Sequence, residues 1–224
     1  MPLILAALLA CTGISEPPEA APSPPPPPSD PVVTPGSCRA GLFAAAPGPY
    51  RLAEVRPEHA QLHFRSDDQG CPTAESCILT PYIIPGDQVI ISGTTGNHQC
   101  AWYTASSGKV TVGWLPTAAL SPITSEPSPW EGTWGYGSND LRISSPQPGT
   151  LQVSGTALWH GLGDNIHIGE LAESQGRLSD GILRLSPYDG CAVTIRRLGP
   201  WLIVDDNLGC GGLNVTFRGV YRRT

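Results

Sequence analysis

The sequence predicts an all-β chain of two antiparallel units braced by disulfides. Three observations predict it. Short apolar segments alternate with a period of two. Glycine and proline are abundant, at 26 and 25 residues. Seven cysteines are present, and all but Cys11 lie at or beyond residue 38. Period-two alternation turns one side of a strand inward, and Gly- and Pro-rich turns join short strands more readily than helices.

The first folded unit is expected over residues 38–121. Leu62 and Phe64 alternate around His63. Val89, Ile90 and Ile91 follow the turn Pro85-Gly86-Asp87. Cys100–Thr104 and Val110–Trp114 flank the turn Ser106-Ser107-Gly108. About five short strands over such a length fit a small barrel. Residues 122–129 contain three prolines and two serines and read as a linker.

The second unit is expected over residues 130–224. Strands are read at 131–136, 140–144, 150–158, 165–171, 181–186, 191–198, 201–206 and 213–223. The inward faces are carried by Leu141 and Ile143, Leu151 and Val153, Ile166 and Ile168, Leu183 and Leu185, Val193 and Ile195, and Val215 and Phe217. Such a set folds as a barrel or a sandwich. The barrel is favoured because closure removes exposed strand edges.

Six cysteines form an even set of the kind used for disulfides in exported chains. Cys191 opens one strand and Cys210 lies in the turn after the next, so a hairpin would bring them together. Cys38, Cys71, Cys77 and Cys100 allow three pairings. Cys71–Cys77, closing a short loop, and Cys38–Cys100, tying the leading segment to the first unit, are favoured among them. No Cys-x-x-Cys pair stands with histidines at zinc-finger spacing.

The chain opens on an apolar run, Met1–Ala10, too short to span a bilayer as a helix. It reads as the core of a secretory signal. Leu8-Leu9-Ala10-Cys11 resembles the lipobox of bacterial lipoproteins, although no Lys or Arg precedes the run. The resemblance implies removal of residues 1–10, lipidation of Cys11 and attachment to the membrane. Thr12 stands where the family's inner-membrane retention signal has Asp, which points to the outer membrane. Residues 11–37 would then be a spacer, stiffened by Pro24–Pro28.

Three segments of the first unit carry a second resemblance: Tyr82–Val89, Trp102-Tyr103 and Gly113–Leu120. They are similar to bacterial SH3-like domains, whose end is a strand running into a Pro and one short helical turn. Bacterial members bind cell-wall peptide or glycan, or act as spacers. Ala118-Ala119 stands where peptide-binding members carry Asn-Tyr, which argues against a groove for proline-rich peptides. In the second unit Gly132-Thr133-Trp134 resembles the opening of lipocalin-like barrels. The closing Asp206–Tyr221 resembles a domain of bacterial envelope proteins and implies a compartment but no activity.

The candidate binding residues are Tyr82, Trp102, Tyr103 and Trp114. Each could stack on a sugar or pack a peptide if exposed, and alternation should bury about half of them. Charge narrows the partners further. The chain has 13 Lys+Arg against 19 Asp+Glu, and Lys109 is its only lysine. No cationic stripe for phosphates results, so nucleic acid is not an expected partner.

No cofactor or metal is expected. His59 and His63 sit four apart, but on a strand that spacing separates them by roughly 13 Å. His160, Asp164, His167 and Glu170 flank a hairpin loop that could bring the two histidines together as an acid–base or metal site. Asp205, Asp206, Asn207 and Asn214 surround glycines and read as turn formers rather than calcium ligands. No nucleophile elbow or phosphate loop is present.

The expected function is therefore non-enzymatic: an envelope lipoprotein that binds the cell wall or an envelope protein. The alternative is an inhibitor of an extracellular hydrolase such as lysozyme, a role that small disulfide-bonded barrels fill by inserting a loop into an active-site cleft.

Overall fold

The computed structural model describes residues 37–224 apart from 47, 126–127 and 189; Cys11 and the proline-rich segment lie outside the described residues. The described residues are all-β save one short helix and two 3-10 turns.

The first unit comprises α1 (Ala40–Phe43), β1 (Arg51–Val55), β2 (Leu62–Arg65), β3 (Ile78–Ile83), β4 (Gln88–Thr95), β5 (His98–Thr104), β6 (Val110–Pro116) and β7 (Leu120–Ile123). Its strands form one antiparallel sheet in the order β3-β2-β6-β5-β4-β1-β7. Val55, Phe64, Ile83, Ile91, Ala101, Leu115 and Leu120, one from each strand, belong to a single buried cluster. A flat sheet of this width would hold its edges roughly 29 Å apart, so the sheet must coil on itself to gather them. The 3-10 turn Thr117–Ala119 follows Pro116, and β7 then returns to pair with β1. That is the short helical turn read from the sequence. The pairing takes Pro122 and Ile123 into the sheet, so the linker begins at Thr124 rather than at 122.

The second unit is a closed barrel rather than a sandwich. It comprises β8 (Gly132–Tyr136), β9 (Asn139–Gln147), β10 (Thr150–His160), β11 (Ile166–Ser179), β12 (Ile182–Leu185), β13 (Val193–Leu198), β14 (Trp201–Asp206) and β15 (Gly219–Arg223). Each strand pairs with its sequence neighbours, and β15 closes on β8 through Arg222↔Gly135 and Arg223↔Trp134. The interior is filled by side chains that include Trp134, Leu141, Val153, Leu171, Ile195, Leu202, Val204 and Tyr221.

Three readings of this unit are corrected. Ile166 and Ile168, expected on the inward face, are exposed, because the face of the β10–β11 hairpin that carries Ala157 and Leu171 is the one that enters the core. β11 continues to Ser179 instead of ending near residue 171. The last strand begins at Gly219 instead of 213. Residues 207–218 are a loop that sends Cys210, Val215 and Phe217 into the barrel core, so the apolar alternation there serves a plug, not a strand. The plug is held from its base. Asp206 is buried, and its carboxylate accepts from the Thr216 hydroxyl (2.7 Å) and the Phe217 amide (2.8 Å). Asn207 accepts from the Ala192 amide and donates to the Gly190 carbonyl, both at 3.0 Å.

Three disulfides are present: Cys38–Cys100, Cys71–Cys77 and Cys191–Cys210, the favoured pairing in each case. The first fastens the α1 arm to β5. The arm is further held by Tyr50, whose hydroxyl lies 2.6 Å from the Ala46 carbonyl and whose burial pushes its pKa up.

The two units share a third buried cluster. Phe43, Leu52, Ile90, Trp102 and Trp114 of the first unit pack with Trp201, Ile203 and Val220 on the outside of the barrel. A run of tilted aromatic contacts crosses the junction: Phe43–Trp102 (5.4 Å), Trp102–Tyr136 (5.7 Å) and Tyr136–Tyr221 (5.7 Å). The last ring lies inside the barrel. Tyr136 fits because β15 has Gly219 beneath it. A Cβ at that position would fall 2.2 Å from the Tyr136 ring.

Candidate functional site

Two tight hairpin turns face each other where the units meet. The turn after β5 carries Ser106 and Gly108, and the turn after β8 carries Gly137 and Ser138. Gly108 (φ 83°) and Gly137 (φ 57°) adopt left-handed backbone that side-chain-bearing residues avoid, which lets both turns stay short. Between them lies an open cleft of about 450 Å³. Val110 and Leu158 supply its apolar surface over the buried Val220, with Tyr136 at the junction. Thr104, Ser106 and Ser138 bring hydroxyls, and Arg222 brings the one charge among the described residues.

The polar groups differ in how far the protein already uses them. Asn139 also lines the cleft, but its amide donates to the Thr216 carbonyl (2.9 Å) and accepts from the Leu158 amide (3.0 Å). It therefore fixes β9 to β10 and to the plug. The Thr104 hydroxyl accepts from the Trp102 indole at 3.1 Å and still has its own proton to donate. Arg222 is exposed, with its guanidinium over the Trp201 ring at 5.8 Å. No carboxylate lines this cleft among the described residues.

A second cleft, of about 470 Å³, lies where the α1 arm meets the barrel near Tyr50, Asp180, Arg196 and Arg197. Here a carboxylate accompanies the cations. Arg196 stacks over Tyr50 (5.9 Å), Arg197 over Trp130 (5.6 Å), and Asp180 offsets the charge.

The four aromatic residues singled out from the sequence are not brought together. Trp102 and Trp114 are core, each about 1% exposed. The Trp114 indole donates to Asp67 at 2.9 Å. Tyr103 is half-buried, and its hydroxyl is pushed up in pKa first by burial and then by Asp87. Tyr82 alone is well exposed, on edge strand β3 beside the His63 ring (5.5 Å).

The His160–Glu170 group is also dispersed. His160 pairs with Ile166 and Trp159 with His167, so the two histidines stand on opposite faces of the hairpin. His167 packs against Trp159 (5.0 Å) and meets the Leu213 carbonyl. Asp205 is spent on Arg218, whose Nε donates to it at 2.6 Å, while Asp206 and Asn207 bind backbone in the plug. Among the described residues no group of three His, Cys, Asp or Glu is placed to hold a metal ion. No described helix is long and apolar enough to cross a membrane.

Sequence reasoning missed Tyr136, Ser138 and Arg222. One signal for the junction was present. Trp201-Leu202-Ile203-Val204 is apolar without alternation, the pattern of a strand covered on both faces.

Comparison with protein-family models, with curated proteins and with solved structures returned no match.

Proposed function

We propose that this chain is a non-enzymatic lipoprotein of the bacterial envelope that binds cell-wall material or an envelope protein at the junction of its two units. The observation that carries the reading is the cleft between the β5–β6 and β8–β9 turns. It is a concave site at an interface between units, with a few free polar groups over an apolar floor, the usual form of a small-ligand site. The histidines and carboxylates suited to acid–base work lie apart from it. Lipidated Cys11 would anchor the chain at the outer membrane, with residues 12–37 as a spacer.

Retention of the whole chain on purified sacculi at low salt tests the cell-wall reading, and passage of the chain unretained rules it out. Fatty-acid labelling that persists in Cys11→Ser would remove the anchor.

One observation favours a second reading, inhibition of an extracellular hydrolase such as lysozyme. The tip of the β10–β11 hairpin carries Leu162 at 98% exposure, beside Ile166 and Ile168 at 51% and 56%. This end of the hairpin runs past the last β9 pairing at Thr156 and presents a loop fit to enter a cleft. Lysozyme activity that falls with the native chain and is restored with Leu162→Asp would establish it. Activity unchanged by excess chain excludes it.

A further inference from the structure

Building on the reading of the junction as a binding site, we infer that the cleft takes a sugar acid, a saccharide bearing a carboxylate. The chain carries a formal charge of -6, yet among the described residues this cleft is lined by one cation and no anion. Arg222 has no carboxylate partner among the described residues. Its guanidinium is planar and forked, the geometry that receives a carboxylate through two parallel hydrogen bonds. A single arginine without a lysine matches one carboxylate better than a phosphate, which draws several cations.

The remaining surface suits a sugar. The hydroxyls of Thr104, Ser106 and Ser138 both donate and accept, as ring hydroxyls require. Val110, Leu158 and Tyr136, all partly exposed, offer an apolar surface for the C–H face of a pyranose. A volume of about 450 Å³ holds roughly one or two such rings. A peptide would call for an open strand edge or a deep side-chain pocket, whereas both rims here are closed hairpin turns. The second cleft fails the same comparison, because the carboxylate of Asp180 lines it beside two arginines, whereas no described carboxylate lines the first.

The test titrates the whole chain, disulfides intact, with N-acetylmuramic acid and with N-acetylglucosamine, which lacks the carboxylate. Binding is read by calorimetry and by amide chemical shifts. The expected result is shifts at Gly108, Gly137 and Ser138, with the acid bound at least about tenfold more tightly than the neutral sugar. Arg222→Gln should abolish that preference, and Arg184→Gln, on β12 and outside the cleft, should keep it. Equal affinity for both sugars, shifts confined to other residues, or a preference that survives Arg222→Gln would overturn the inference. The two levels separate cleanly. Sacculi that retain the chain while the acid leaves the cleft amides unmoved sink the sugar-acid assignment alone. A chain that binds the acid in the cleft yet passes through sacculi sinks the cell-wall reading alone.

Discussion

Arg218 and Asp205 meet at the base of the barrel plug, and their balance is decided by desolvation. Arg218 is buried, with its Nε bound to Asp205 and its Nη2 to the Asp206 carbonyl at 2.8 Å. Burial raises the Asp205 pKa, and the nearby arginine only partly offsets it. A raised carboxyl pKa means the folded state binds the proton more readily than the unfolded state. The group's contribution is thus most favourable at low pH and declines as pH rises through the folded pKa. Arg218→Gln removes the offsetting charge and leaves a half-buried carboxylate unpaired. It should cost on the order of 2–3 kcal/mol at neutral pH. The deficit relative to the parent chain should shrink on acidification, as Asp205 is protonated; urea denaturation at several pH values measures it. A deficit that is flat or grows toward acid would refute the desolvation argument. A steric counterpart sits at Gly219. Valine there would drive Tyr136 from its place between Trp102 and Tyr221, costing about 2–3 kcal/mol by overpacking and distorting the cleft. Thermal melts and cleft amide shifts report the two effects.

Strands and disulfides set the element scale. By loop-closure entropy the bridges should rank by the chain they enclose. Sequence separations of 62, 19 and 6 for Cys38–Cys100, Cys191–Cys210 and Cys71–Cys77 correspond to about 4, 3 and 2 kcal/mol. Paired Cys→Ala variants, compared by denaturant midpoint, should follow that order. A Cys71/Cys77 variant less stable than the Cys38/Cys100 variant would show that packing, not chain entropy, dominates. Most barrel strands were legible from inward apolar residues at period two, such as Leu141 and Ile143 on β9 and Val193 and Ile195 on β13, whereas the pair Ile166 and Ile168 that marked β11 faces outward. The C-terminal half of β11 was not legible: Ala172–Arg177 is mostly small and polar, with Ser174 its one buried side chain. A register shift between Val153 and Gly155 on β10 breaks the alternation of its partner as well. Residues 213–218 misled for the opposite reason, since Val215 and Phe217 alternate while plugging the barrel end. In the cleft, nothing about Ser106, Ser138 or Arg222 marks them locally. They become a site only when two hairpins far apart in sequence are brought together.

At the scale of the whole molecule, the outer face of the barrel is part of a core. Trp201, Ile203 and Val220 point away from the barrel interior, yet Ile203 is fully buried against the first unit. Neither unit can leave the other without exposing large apolar side chains, among them Trp102, Trp114 and Trp201. Burial of this kind stabilises by about 25 cal/mol per Å² of apolar surface, enough for several such side chains to couple two small units into one cooperative block. Chemical denaturation should therefore give a single transition whether it is followed by tryptophan fluorescence or by amide exchange in β3 and in β9. Ile203→Asp places a carboxylate in that shared cluster, away from the interior of either unit. It should split the transition in two, with the barrel strands β8–β11 unfolding separately from the sheet of β1–β7. The same variant should lose sugar-acid binding, because the cleft exists only while the two hairpin turns are held face to face. Two transitions in the parent chain, or an undivided one in Ile203→Asp with the cleft intact, would mean that the units are joined by the linker and not by their packing.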